Sequence, residues 1–252
     1  YQYFYIPTNF TEAKYVQAIE ARPGNREVVH HILVNYLARP DMTRTPVLRM
    51  NQEWSRLPPP VIGANAPKRT QGMPTRLVAT YAPGTRPQIF RSGTALRLEP
   101  GGVIELQMHY TATGEAANDR TKIGIVFSKD PAPREIRAAA FFNATLVLPA
   151  GSSNTAVPGE VEFQQDTIVY GLLPHTHLRG KRWEYQLSLP DGTSKTILSV
   201  PAYDFNWQTY YMFREPLQVP KGAKILSTAW YANSPGNKSN PDPAVDVKWG
   251  DQ

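Results

Sequence analysis

The sequence predicts an all-β protein, and three observations carry that prediction. Its 24 prolines and 17 glycines are scattered along the chain, as turns between many short strands require. Stretches rich in branched and aromatic residues, such as 28–34 and 123–127, lie between those turns. Residues 103–110 and 183–189 alternate apolar and polar side chains, the period of a half-buried strand. At 252 residues the chain is long enough for one large all-β domain or two of about 120 residues.

Composition excludes several functions. Hydrophobic residues make up 41% and charged residues 19% of the chain, which fits a globular protein. The net charge of +6 is spread out without a basic run, so it predicts a mildly basic surface and no nucleic-acid partner. No apolar run approaches the roughly 20 residues of a membrane span. The absence of cysteine removes disulfides, cysteine-ligated zinc, Cys-x-x-Cys-His haem attachment and thiol catalysis within this chain. The first residue is Tyr1, with no methionine or signal peptide before the first strand, so the chain is read as a mature form or a fragment.

Taken in order, the aromatic run Tyr1 to Pro7 is β-prone, and residues 14–21 fit a short helix or a strand equally well. Arg22-Pro23-Gly24-Asn25 turns the chain into the strand 28–34, which carries His30 and His31 side by side. Neighbours on a regular strand face opposite ways. Either one histidine is buried and the other exposed, or the backbone bulges so that both face one point. Residues 40–75 lack periodicity and predict a long functional loop.

The strand 103–110 places Val103, Glu105, Gln107 and His109 on one face, with Ile104, Leu106 and Met108 toward the core. Residues 123–127 make another strand, and 128–134 are the best linker in the chain. A strand over 167–172 leads into His175-Thr176-His177, whose spacing of two aims both imidazoles at one point if the chain stays extended. Pro190-Asp191-Gly192-Thr193 predicts a hairpin turn. The aromatic stretch 204–211 is read as packing between two sheets in preference to stacking on a substrate. The chain has no internal repeat, and its five histidines all fall in the three motifs just named.

Together these motifs resemble the copper type II, ascorbate-dependent monooxygenases, the peptidylglycine α-hydroxylating and dopamine β-monooxygenase family. The resemblance rests on His30-His31, Gln107-Met108-His109-Tyr110 and Pro174-His175-Thr176-His177-Leu178-Arg179-Gly180-Lys181, in that order. Arg22-Pro23-Gly24-Asn25, Pro190-Asp191-Gly192, Tyr203 to Gln208, Ala232-Asn233-Ser234 and Asn240-Pro241-Asp242-Pro243 resemble bacterial members. It covers nearly the whole chain.

The resemblance implies two tandem antiparallel, jelly-roll-like β-sandwiches, over 1–130 and 131–252, each with one mononuclear copper beside a solvent-filled cleft. By position, His30, His31 and His109 match a three-histidine electron-relay site, with Gln107 beside it, and His175 and His177 match two ligands of the oxygen-binding site. It implies dioxygen, ascorbate or another one-electron reductant, a small-molecule or peptide substrate, an extracytoplasmic (periplasmic or secreted) location, and further domains outside this chain. The catalytic assignment falls on His175, His177 and Gln107. The family's methionine ligand follows a Trp-Gly-Asp-Gln-like stretch, which here is Trp249 to Gln252; Met212 is the internal rival, in an apolar setting read as packed.

Two other classes compete with copper hydroxylation of a C–H bond. One is a non-catalytic copper-binding or carbohydrate-binding β-sandwich module of a larger protein. The other is a zinc hydrolase, for which three histidines also suit the metal. A hydrolase needs a positioned general base, and Glu105, four positions from His109, is a poor one.

Overall fold

The computed structural model describes residues 2–38, 77–130, 133–141, 143 and 145–249, with the backbone of 73–74. The loop expected over 40–75, with Met42 and Met50, lies outside the described residues apart from 73–74, as do residues 250–252. The chain forms two compact units, one from residues 2–38 and Pro74–Ala139, the other from residues 140–249. The described secondary structure is all strand, without a helix. Short strands β4 (Met73–Pro74) and β11 (Ala139–Ala140) stand where the chain passes from one unit to the other.

The first unit is a two-sheet sandwich. One sheet runs β1 (Gln2–Pro7), β8 (Val103–Tyr110), β3 (Val29–Leu37), β5 (Leu77–Tyr81). The other runs β10 (Arg134–Ile136), β7 (Thr94–Leu98), β2 (Lys14–Arg22), β6 (Gln88–Ile89), with β9 (Lys122–Phe127) also paired to β2. Val16 and Ile19 of β2 meet Ile32 and Val34 of β3 and Ile104, Leu106 and Met108 of β8 in a shared core. Burying such side chains contributes about 1.5–3 kcal/mol each. Ile104, Leu106 and Met108 thus take the core face foreseen for them.

Residues 14–21 resolve as strand, and a register shift between Val16 and Ala18 explains the earlier ambiguity. Val16 and Ile19 are three apart, a helical spacing, and a bulge brings both into the same core. The described residues of 128–134, the stretch expected as a linker, belong to the first unit. The Ser128 amide bonds Tyr15 O at 2.7 Å, the Arg134 amide bonds Gly93 O at 2.9 Å, and β10 pairs in parallel with β7. The boundary therefore falls between Ala139 and Ala140 rather than at residue 130.

The second unit is built from antiparallel pairs. Its larger sheet runs β13 (Thr155–Glu162), β18 (Lys224–Tyr231), β15 (Gly180–Ser188), β16 (Ser194–Val200). Separate pairs join β14 (Thr167–Leu172) with β17 (Tyr211–Val219) and β12 (Val147–Leu148) with β19 (Val247–Lys248). Val161, Tyr185, Leu187 and Ile225 of the larger sheet pack with Val169, Leu172, Leu217 and Val219 of β14 and β17. Pro158 sits in β13, which pairs on one side only, where a missing backbone donor is tolerated. Gly192, at φ +87°, makes the β15–β16 hairpin turn.

Candidate metal centres

The first centre lies on β3 and β8. Val29 pairs with Tyr110, and His31 pairs with His109, so one extra residue, His30, is inserted in β3 between those two rungs. Ile32, Val34 and Tyr36 point to the core, as does Val29 beyond the bulge. The bulge is what lets adjacent histidines point the same way. His30 Nδ1 and His31 Nδ1 lie 3.1 Å apart. His31 is buried, and its ring meets that of His109 edge-on at 5.6 Å between centroids.

A distant carboxylate anchors both ends of this centre. Asp119 Oδ1 accepts from the amides of Gly24 and Asn25 at 2.8 and 2.9 Å, which fixes the turn before His30. Asp119 Oδ2 accepts from Thr121 Oγ1 at 2.7 Å and from the Tyr110 hydroxyl, next to His109, at 3.2 Å. Burial pushes the Asp119 carboxyl up, but these donors outweigh it and hold its pKa below the ordinary value. Burial, then Asp119, pushes Tyr110 up to about 12. Gly24 has no room for a side chain, since a Cβ there would lie 2.7 Å from the Arg120 backbone. Gln107, on the His109 face, donates to the hydroxyl of buried Tyr3, and Glu105 accepts from Asn35 Nδ2 at 3.0 Å.

The second centre is not on a strand. β14 ends at Leu172, and His175 and His177 follow in an irregular segment, so ladder alternation does not aim them. Their rings nonetheless lie 5.2 Å apart, nearly perpendicular at 87°. Side chains supply the missing order. Tyr203 Oη accepts from the Thr176 amide at 3.1 Å and donates to Thr176 O at 2.8 Å, clamping the peptide between the histidines. The Gly180 amide closes a turn on His177 O at 2.9 Å. A Cβ on Gly180 would strike Thr176 Oγ1 and come within 2.9 Å of the Tyr203 ring.

Just beyond His177, buried Arg179 donates from Nε to Asn233 Oδ1 at 3.0 Å. Asn233, fully buried, also reaches the carbonyls of Leu148, Pro149 and Val245 through Nδ2, and Asn240 Nδ2 bonds its oxygen. The Asn-rich motifs near the end of the sequence are thus a brace for the segment that bears the pair.

Gln208 fixes the state of His175. Gln208 Nε2 donates to Phe205 O at 2.9 Å, which sets the amide's orientation and turns Oε1 to His175 Nδ1 at 2.6 Å. An oxygen there accepts, so Nδ1 carries the proton and Nε2 keeps its lone pair for a ligand. The ring keeps an exposed edge, but the protein packed around it lowers its pKa by desolvation, against the bond to Gln208. The bond to Gln208 follows from the 204–208 turn. Of the aromatic residues in 204–211 expected to pack between sheets, Trp207 is 53% exposed and Phe205 meets His177 edge-on at 6.5 Å, while Tyr210 and Tyr211 are half-buried.

Met212 is likewise 51% exposed rather than packed, opposite Gly171 on β14, with its sulfur against that glycine. No family model matches the chain, and no curated protein matches it.

With metal–nitrogen bonds of about 2.0–2.1 Å, two nitrogens 3.1 Å apart subtend about 100° at one ion. His30 and His31 therefore have the span of two ligands on one ion. His109 stands directly across the ladder from His31, and among the described residues no group of three His, Cys, Asp or Glu side chains converges as a ready metal cage. At the second centre the fit lies in the donor itself, a neutral imidazole with Nε2 available and a hydrogen-bonded Nδ1. The sequence reading named all five histidines and Gln107, and the structure places His30 beside His31, His31 opposite His109, His175 beside His177, and Gln107 on Tyr3. The sequence reading missed Asp119, Tyr203 and Gln208 as supports, because nothing local marks residues that act from 27 to 95 positions away.

Proposed function

We propose that this chain is a copper-dependent monooxygenase of the type II, ascorbate-dependent kind, acting outside the cytoplasm. It hydroxylates a C–H bond of a small-molecule or peptide substrate with dioxygen and a one-electron reductant. The observation that carries this reading is the division of the five histidines into two separately supported groups, one in each unit. A single hydrolytic zinc centre has no use for a second, independently braced pair.

Copper, when bound, would supply one-electron transfer and dioxygen activation, for which imidazole suits both oxidation states. His30, His31 and His109 would hold one ion, and His175 and His177 the other. The protein's own part is to orient these imidazoles. Gln208 holds the His175 proton on Nδ1, Tyr203 fixes the peptide linking the pair, and the β3 bulge turns His30 beside His31. Gln107, tied to Tyr3, limits the polar face beside His109.

The roles of the two groups can be separated with carbon monoxide on the reduced, copper-loaded protein. His175→Ala is expected to abolish the carbonyl infrared band and His109→Ala to leave it. The reverse pattern would overturn the assignment of roles. Oxygen uptake that depends on ascorbate and yields a hydroxylated product separates a catalyst from a copper- or carbohydrate-binding module.

A further inference from the structure

We infer that the first unit carries a binding site for a single-chain alkyl carboxylate. The tail lies in an apolar groove between β1, β8 and residues 119–121, and Arg120 takes the carboxylate. The site uses neither a metal nor a histidine, so it stands or falls apart from the copper reading.

The groove arises where the two sheets end. Among the described strands β1 pairs only with β8 and β9 only with β2, so each is an edge strand of its sheet. The register sets Phe4 opposite Leu106 and Ile6 opposite Ile104, and the strand period turns Phe4, Ile6, Leu106, Met108 and Tyr110 to one side. Residues 119–121, which lead into β9, line the groove with them, and the space between is about 490 Å³. Leu106 and Met108 are buried, Phe4 and Tyr110 half-buried, and Ile6 is 44% exposed. The apolar wall therefore runs from the core out to solvent along β1. Its volume is that of a small-molecule site, and water finds few hydrogen-bonding partners against such a wall.

The polar end of the groove selects the head group. Asp119 engages both of its oxygens within the fold, Oδ1 with the amides of Gly24 and Asn25 and Oδ2 with Thr121 and Tyr110. Arg120 differs. Its backbone packs on Gly24, its side chain is exposed, and among the described residues its guanidinium has no hydrogen bond or ion pair. A guanidinium matches a carboxylate in charge and in planar shape, so an anionic head joined to an alkyl tail fits both parts of the groove. The groove on the outer face of the larger sheet in the second unit has the opposite chemistry. Glu160, Glu184 and Gln186 line it around Leu226, and Gln186 Nε2 already donates to Glu184 at 2.7 Å. Its carboxylates repel an anion.

The test is a calorimetric titration of the full chain with decanoate below its micelle-forming concentration, beside octanoate, decan-1-ol and decyltrimethylammonium. Wild type is expected to bind one decanoate saturably. Octanoate should bind about tenfold more weakly for two lost methylenes, and decan-1-ol about fivefold more weakly for the lost charge. Arg120→Ala should bring decanoate down to the level of decan-1-ol and leave decan-1-ol unchanged, while Arg120→Lys should restore most of the difference. Ile6→Asp, at the open end, should weaken both ligands. No saturable binding in wild type, equal decanoate affinity in wild type and Arg120→Ala, or binding untouched by Ile6→Asp would overturn the inference. So would octanoate or decyltrimethylammonium bound as tightly as decanoate. Retention of the chain on phosphatidylglycerol vesicles that free decanoate fails to relieve would put a membrane in place of the free molecule, and would overturn it too.

Discussion

His31 and His109 face each other across one rung of the β3–β8 ladder, while His175 and His177 lie beyond the end of β14, where no ladder runs. At the first centre the backbone does the aiming, and one inserted residue in β3 adds His30 to the same side. At the second the aiming is done by Tyr203, Gln208 and Asn233, which reach in from other parts of the second unit, Asn233 through Arg179 on the segment itself. Backbone pairing resists small changes because many bonds share the load. A centre held by single side chains is sensitive to each of them, and it is also freer to accept a ligand. Under the proposed function, that contrast would suit a relay site that stays unchanged and a reaction site that opens to substrate.

The largest effects should come from the two close-packed glycines. Gly24→Ala, which meets Arg120 backbone, and Gly180→Ala, which meets Thr176 and Tyr203, should each cost about 3 kcal/mol in urea unfolding. Each should disturb copper binding in its own unit alone. Loss of both coppers from either variant would contradict independent supports.

Asp119→Ala comes next, at about 2 kcal/mol, since it removes a charged acceptor from four donors. Its pH dependence has a definite sign. The folded pKa is held below the ordinary value, so the stabilisation is complete above the unfolded value of about 3.9 and fades as pH falls through the folded one. Acid unfolding of the variant should therefore lack part of the wild-type loss below about pH 4. An unchanged acid profile would remove Asp119 from the account.

Tyr203→Phe deletes the clamp on Thr176 while keeping the ring, and should cost about 1 kcal/mol. It should also broaden the Cu(II) resonance of the second centre and leave the first unchanged. Met212→Leu should be the smallest, within about 0.5 kcal/mol for an exposed side chain, with second-site copper affinity nearly unchanged. A marked loss of copper there would make Met212 a ligand.

The same contrast governs how far the sequence could be read. Alternation in 103–110 located the core face of β8 and the opposite face of His109, because strand period two is a local property. Adjacent His30 and His31 already demanded a bulge if both were to face one point, and the register shift is there. The supports left no trace in local periodicity: Gln208 of the second centre acts on His175 from 33 positions away, and Asp119 of the first acts on Gly24 from 95. Apolar composition misled twice. Trp207 and Met212 look like core in sequence, yet both stand in solvent, because hydrophobicity reports what can be buried and not what is. Residues 128–134 looked like a linker for their prolines, but backbone pairing with β7 keeps the end of that stretch in the first unit.

The central claim, two independent mononuclear copper centres, is tested most directly by electron paramagnetic resonance of the oxidised, copper-loaded protein and its His109→Ala and His175→Ala variants. The account predicts two Cu(II) signals in wild type, one of which disappears in each variant while the other keeps its parameters. A spin-coupled silent pair, a single signal that both variants abolish, or stoichiometric zinc that copper fails to displace would contradict it.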